Sequence, residues 1–239
     1  MSLKTSTTSA MTPDSLRKQA NSFAQEVQDL LRRTLDGIGP DDVLIVRQRE
    51  GGRSVTLRTD EEAPVVARVS GRPLLLDLKY RLQLSSDGSF LRTEQSSVQV
   101  RGMSKRSEPF FRYDYMAHPA SANVPTSHLQ VYGHRDDLLH ALYVSDKARS
   151  QPSRKKDLDP ASPRGLHMIH FPLGGMRFRP CLEDVLELIV KEFGIDTVDG
   201  WSDALVEGRI AWRHIQLASA IRDDPDTARN ALDALGADS

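Results

Sequence analysis

The sequence LLLDLKYRLQLS, residues 74–85, alternates apolar and polar side chains over almost its whole length. In an extended chain, successive side chains point to opposite faces, so the leucines and the tyrosine at even positions would share one face. This period of two predicts a strand of an antiparallel sheet, buried on one face and solvated on the other. Asp87-Gly88 follows as a hairpin turn, and residues 90–100 are predicted to form the partner strand.

Further strand-like segments lie on both sides of this hairpin. They are residues 43–49, 54–59, 110–116, 127–134 and 166–171. The first two are joined by Glu50-Gly51-Gly52-Arg53, a composition that favours a turn. Together these segments predict one antiparallel sheet of five to seven strands.

Helical periodicity is confined to the two ends of the chain. Residues 13–35 repeat apolar side chains at steps of three and four, as do residues 180–193, 202–221 and 226–235. Successive strands with helices gathered at the ends indicate an α+β fold rather than alternating βαβ units. We therefore expect one domain over residues 13–239, with a helical part at 180–239. Its N-terminal and C-terminal helices should pack on the apolar face of the sheet.

Two segments show no periodicity. Residues 1–12 are rich in serine and threonine and lack an apolar signal core, which predicts a disordered tail. Residues 145–165 are polar and contain several prolines, which predicts a mobile loop. No stretch approaches the roughly 20 apolar residues of a membrane helix, so no membrane contact is expected.

Cys181 is the only cysteine, so an intrachain disulfide is impossible and a reducing cytoplasm is the expected compartment. It falls in the first turn of a predicted helix, where the helix dipole lowers the pKa of a thiol. No Cys–His pattern accompanies it, and a packed, unreactive cysteine is the favoured interpretation.

Charge is distributed unevenly although the net charge is only −1. Residues 101–180 contain 13 basic and 7 acidic side chains, whereas residues 181–239 contain 5 and 13. A basic centre can indicate an anionic ligand. The alternative is that the basic and acidic parts neutralise each other in the folded protein.

The polar faces of the predicted strands contain the candidate catalytic residues His128, His134 and Asp114. If the strands are neighbours, two histidines could act as general base and acid on a phosphodiester, with Asp114 orienting one of them. The cations expected to hold phosphate on the same face are Arg112, Lys79 and Arg81. The alternative is a solvated sheet face with ordinary cross-strand pairs.

Histidine spacing argues against a metal site. His128, His134 and Asp114 lack the ligand spacing that is diagnostic of zinc, so neither a metal nor a cofactor is predicted. Strand alternation separates His167 from His170, and His170 is expected to be a buried histidine bonded to backbone.

A second anion-binding candidate precedes the helix at residue 180. Gly174 and Gly175 could present backbone N–H groups, and Arg177 and Arg179 add positive charge. The alternative is a plain turn whose arginines pair with acidic residues of the helix.

The run Phe111-Arg112-Tyr113-Asp114, followed by Val124-Pro125-Thr126-Ser127-His128, resembles small bacterial toxin–antitoxin proteins. The toxin members are thought to be ribonucleases that need no nucleotide cofactor. The match covers about 25 residues, and the close histidine pair of that pattern is stretched here to His128 and His134. The wider sequence also resembles actinobacterial proteins, a likeness that implies no function.

Two functions are compatible with these patterns. One is a cytoplasmic bacterial protein that binds or cleaves RNA by metal-independent acid–base chemistry, with RNA or another anion as its ligand. The other is a non-enzymatic interaction module, with a protein partner or a homodimer surface on the C-terminal helices, or an α+β domain that binds a small ligand. Whether the protein is an enzyme stays open at this level.

Overall fold

The fold is given by a computed structural model of the chain. It describes residues 13–39, 44–48, 54–59, 65–69, 72–85, 88, 90–102, 109–133, 170–175 and 179–237. The predicted tail, the predicted turn at 50–53 and the predicted loop at 145–165 lie outside these ranges.

All eight strands belong to one antiparallel sheet. They are β1 (Leu44–Gln48), β2 (Val55–Thr59), β3 (Val65–Val69), β4 (Arg72–Leu84), β5 (Leu91–Arg101), β6 (Pro109–Met116), β7 (Ser127–Val131) and β8 (Phe171–Pro172). The spatial order is β1-β2-β4-β5-β6-β7-β8, and β3 pairs with β4. The predicted α+β class is confirmed, with one strand more than the largest number expected.

The longest strand, β4, organises the sheet. One edge pairs with β5 along most of its length, and the other edge is shared by β2 and β3. The sequence analysis missed β3 because its residues, VVARV, contain a single polar side chain and therefore show no alternation.

Helices cover the apolar face. They are α1 (Pro13–Thr34), α2 (Leu182–Phe193), α3 (Trp201–Asp223) and α4 (Pro225–Ala237). The chain leaves α1 through Gly37, whose φ of 78° is a left-handed conformation that favours glycine. The segment after α2 holds this exit, since Asp36 donates its backbone N–H to the Asp196 carbonyl at 3.1 Å, and Asp196 donates its own N–H to the Arg68 carbonyl of β3 at 2.7 Å.

The core lies between the sheet and the first two helices. The even-numbered leucines of β4 from Leu74 to Leu82 are buried, as the alternation predicted, and they join the apolar stripes of α1 and α2 in one cluster, against which Leu84 is partly buried. Phe23 of α1 meets the Tyr80 ring edge-on at 5.2 Å. At the end of α2, Phe193 lies 6.0 Å from the ring of Phe111 in β6. These contacts place α1 and α2 on the same face of the sheet.

The other two helices are less enclosed than expected. Buried residues of α3 are confined to its start, at Ala204 and Leu205. Arg209 then attaches the helix to α2 by ion pairs with Asp184 at 2.8 Å and Glu187 at 2.5 Å. The principal contacts of α4 are with α3, so α4 adds little to the core under the sheet. No helix in the described ranges is long and apolar enough to cross a membrane.

We predict that Ile189→Ala lowers the free energy of unfolding by about 2–5 kcal/mol, because it opens a cavity in this core. Ile189 is fully buried in α2, whereas Ile215 of α3 is 62% exposed. Ile215→Ala is therefore the matched control and should stay within about 0.5 kcal/mol of the wild type. Urea unfolding followed by circular dichroism measures both, and equal losses would contradict the assigned core.

Candidate functional site

The polar face of the sheet brings several of the predicted site residues into two parallel rows. In the first row, Lys79 of β4, Ser97 of β5, Asp114 of β6 and His128 of β7 follow one another across the strands. Cross-strand neighbours on one face have Cβ atoms about 5 Å apart, so each row is a line of adjacent side chains. Asp114 and His128 are therefore direct neighbours, as the hypothesis of a shared face required.

The second row lies two residues along each strand. It consists of Asp77, Gln99, Arg112 and Gln130. The Nε atom of Arg112 lies 2.6 Å from the Asp114 carboxylate, and its terminal NH2 donates to Oε1 of Gln130. Arg112 thus links the two rows at the β6–β7 pair.

His128 is almost completely buried, with 2% of its side chain exposed. Its Nδ1 lies 2.9 Å from the Pro125 carbonyl oxygen. A carbonyl can only accept a hydrogen bond, so Nδ1 is protonated and donates. The other ring nitrogen, Nε2, faces Asp114 at 3.7 Å, beyond direct hydrogen-bond distance. The ring is therefore held by backbone on one side and adjoins a carboxylate on the other.

His170 lies beside this histidine and was not included among the predicted site residues. The His128 and His170 ring centroids are 4.7 Å apart in an edge-on arrangement. Gln130 bridges the network, because its Oε1 accepts from Arg112 and its Nε2 therefore donates to Nε2 of His170 at 3.1 Å. His170 thus contacts side chains of the polar face. The sequence could not place His170, because it precedes a strand of only two residues, which is too short to show alternation. Its position becomes evident only from the pairing of β8 with β7.

The hypothesis that all the strands with site residues are immediate neighbours needs correction. Strand β5 separates β4 from β6, so Ser97 lies between Lys79 and Asp114. Neighbouring strands lie about 4.8 Å apart, which puts Lys79 and Asp114 roughly 10 Å apart at their Cα atoms. Arg81 is two residues further along β4, opposite Gln95 of β5.

Lys79 and Arg81 instead join two cations that the sequence analysis did not select. Arg58 of β2 lies directly opposite Lys79, and Thr56 separates Arg81 from Arg47 of β1. We call Arg47, Arg58, Lys79 and Arg81 the basic block. The alternation of side chains along β1 and β2 could have indicated Arg47 and Arg58. Their position relative to the cations of β4 follows only from the pairing of the strands.

Arg179 does not join this face. Arg179 stacks over the ring of Tyr115 at 4.0 Å and lies 6.0 Å from that of Trp212. Tyr115 alternates with Asp114 and faces the helices, so Arg179 lies on the opposite side of the sheet. His134 and Arg177 lie outside the described residues, and their assigned roles stay predictions.

Cys181 is buried immediately before α2, and its environment reverses the effect expected from the helix dipole. Burial raises the pKa of the thiol, and the neighbouring carboxylate of Glu183 raises it further. The backbone N–H of Cys181 donates to Asp184 at 3.0 Å. The thiol is therefore a packed group, in agreement with the unreactive interpretation.

The described residues contain no group of three or more histidine, cysteine, aspartate or glutamate side chains arranged to hold a metal ion. No protein-family model, curated protein or solved structure matches the chain. The arrangement on the polar face must therefore be interpreted from its own geometry.

We expect His128→Asn to be more stable than His128→Ala by about 1–3 kcal/mol, because asparagine can still donate to the Pro125 carbonyl. The alanine variant leaves that carbonyl without its side-chain donor and opens a cavity. Urea unfolding of both variants measures the difference. Equal stability would show that the Nδ1 bond adds nothing.

We also expect Cys181 to react with iodoacetamide at least about tenfold more slowly in the native protein than in urea at pH 8 to 9. The raised pKa keeps the native thiol protonated, whereas the unfolded thiol ionises in this range. Mass spectrometry of the alkylated chain follows both rates. Similar rates would contradict the buried position of the thiol.

Proposed function

We propose that the polar face of the sheet binds single-stranded RNA through its backbone phosphates. The basic block is the observation on which the proposal depends: four cations on three adjacent strands of one sheet face. Phosphate contacts by lysine and arginine provide most of the affinity in such complexes. The resemblance of the Arg112–His128 region to ribonuclease toxins agrees with an RNA ligand.

The two acidic side chains in the rows described above are paired with arginines outside the basic block. Asp77 lies 2.6 Å from Arg101, and Asp114 lies 2.6 Å from Arg112. Within the described strand pairs, no acidic side chain lies directly opposite any member of the basic block. Cross-strand carboxylates therefore do not neutralise the block.

Two features of the basic block favour binding of an anion. Arg58 and Lys79 are directly opposite across β2 and β4, and like charges in that position destabilise a sheet. The Nε of Arg81 is buried and makes no hydrogen bond to the described part of the chain. A phosphate beside these groups would offset the repulsion and accept from a guanidinium.

The geometry supports RNA binding better than RNA cleavage. A general acid or base must approach the substrate within hydrogen-bond distance. His128 is 2% exposed and its Nδ1 is engaged with Pro125, so access to it is limited. In this proposal His128 supports the Asp114–Arg112 ion pair, which lies next to the bound RNA. His170 lies at the edge of the same network.

A second candidate function is protein interaction, and one observation favours it. Seven large apolar side chains of α3 and α4 are exposed. They are Val206, Ile210, Ile215, Leu217, Ile221, Leu232 and Leu235. Exposed apolar surface concentrated on two consecutive helices is typical of an interaction surface. The cytoplasmic location expected from the single cysteine stays a prediction under either function.

RNA binding is tested with the double charge reversal Arg47→Glu/Lys79→Glu, in which both residues are exposed. We expect it to weaken binding of a fluorescently labelled single-stranded RNA on the order of tenfold at low salt. The slope of log affinity against log salt should fall by about 0.7 per lost phosphate contact. Fluorescence anisotropy over a salt series measures both quantities.

The matched control is Arg17→Glu/Lys18→Glu on α1, which changes the net charge equally and lies on exposed positions of the opposite side. It should bind RNA almost as the wild type does. Equal weakening in both variants, or no binding by the wild type at low salt, would refute the proposal. Competition by inorganic phosphate as effective as by RNA would indicate a small-anion site instead. Incubation of the same RNA with wild type and His128→Asn tests cleavage directly.

A further inference from the structure

The four cations of the basic block lie close together in one corner of the sheet. Arg58 and Lys79 are cross-strand neighbours, and in the next row Thr56 separates Arg81 from Arg47. Strands are about 4.8 Å apart and residues about 3.4 Å apart along a strand, so the four Cα atoms lie within about 12 Å of one another. Four positive charges are thus concentrated on a patch of about 10 Å by 7 Å.

The positive charge does not continue across the sheet. Beyond β4, the row of Lys79 and the row of Arg81 continue on β5 and β6 with residues that carry no positive charge. They are Ser97 and Asp114 in the first row, and Gln95 and Met116 in the second. On the other side, β1 is the last strand of the described sheet. A site that follows a single-stranded nucleic acid along its length needs cations along the path. The block is instead one compact cluster, which suits the end of an RNA chain.

The density of charge on the block favours a ligand whose phosphates are adjacent. Phosphates within an RNA chain are diesters that carry one negative charge each and are separated by a ribose. In a 5′-triphosphate the phosphates are joined directly through shared oxygen atoms. The terminal one alone carries about −1.5 to −2 at pH 7, like other phosphate monoesters. A triphosphate therefore places more negative charge on a patch of this size than an internal stretch of RNA does.

The hydrogen-bond donors of the block suit the same ligand. The Nε atom of Arg81 is buried and makes no hydrogen bond to the described part of the chain. Thr56 adds a hydroxyl between Arg81 and Arg47. Guanidinium groups donate parallel N–H bonds to phosphate oxygens, and a hydroxyl can donate one more. A terminal phosphate has three acceptor oxygens, so it can accept from several of these groups at once.

We propose that the basic block binds the 5′-triphosphate end of a single-stranded RNA. This inference rests on the proposed RNA binding and names the part of the RNA that the four cations hold. A 3′ end does not fit the block equally well, because it has no run of directly joined phosphates. Lys79 and Arg58 neutralise charge in one row of the block, and Arg81, Thr56 and Arg47 donate to phosphate oxygens in the other.

The test compares two single-stranded RNAs of one sequence, both labelled at the 3′ end, with either a 5′-triphosphate or a 5′-hydroxyl. In fluorescence anisotropy, the full chain should bind the triphosphorylated RNA at least about tenfold more tightly at physiological salt. Lys79→Gln should reduce this preference by about threefold or more. Lys18→Gln, the same substitution at an exposed position of α1, should leave it unchanged. Thr56→Val should also reduce the preference, without any change of charge. Circular dichroism checks that each variant is folded.

The outcomes separate this inference from RNA binding itself. Equal affinity of the wild type for the two RNAs would overturn the binding of the 5′ end and leave RNA binding intact, whereas binding of neither RNA would refute both. A 3′-phosphorylated RNA that binds as tightly as the 5′-triphosphorylated one would also overturn the inference. So would a preference that is unchanged in Lys79→Gln. Inorganic triphosphate that competes as well as the unlabelled 5′-triphosphorylated RNA would indicate a site for small polyanions instead.

Discussion

The alternation along β4 is the constraint on which the rest of the structure depends. From Leu76 to Leu82 its even-numbered side chains enter the core between the sheet and the helices α1 and α2, and the odd-numbered Asp77, Lys79 and Arg81 lie in the middle of the polar face. A slip of one residue in its pairing would exchange these two sets, burying Lys79 and exposing Leu78. The buried leucines therefore fix the positions of the cations, although the cations add nothing to the core.

The interactions at the β6–β7 pair have a different character. Here the side chains of the polar face are enclosed. His128 and Gln130 are buried, His128 Nδ1 is bonded to Pro125, and the Gln130 amide is bonded to Arg112 and His170. Arg112, Asp114 and His128 form a fixed network rather than a set of mobile charges. Buried polar groups destabilise a protein unless they are satisfied, and Nδ1 of His128 and the amide of Gln130 have such partners, whereas Nε2 of His128 has only the Asp114 carboxylate at 3.7 Å. The same sheet face thus has a network of bonded polar side chains at β6 and β7. At β1, β2 and β4 it has a group of cations with no carboxylate directly opposite in the described strand pairs.

The sequence predicts what depends on local periodicity and misses what depends on pairing. Alternation correctly placed Arg112 with Asp114 and His128 with Gln130, since each relation lies within one strand. It could not predict that β5 separates Lys79 from Asp114, because strand order is set by contacts distant in sequence. His170 escaped selection for the same reason: its neighbours on the face come from β7, some 40 positions earlier. Arg179 was predicted to bind an anion, and its guanidinium lies over the Tyr115 ring on the opposite side of the sheet.

The basic block and the exposed apolar side chains of α3 lie on opposite sides of the molecule. The cations belong to the sheet face that is turned away from α1 and α2, whereas α3 packs against those two helices. An RNA strand on the block would therefore leave the exposed side of α3 accessible. Ile215 and Leu217 of that helix are 62% and 60% exposed, and covering such apolar surface with a partner is favourable. RNA binding and protein interaction are therefore compatible functions of one fold.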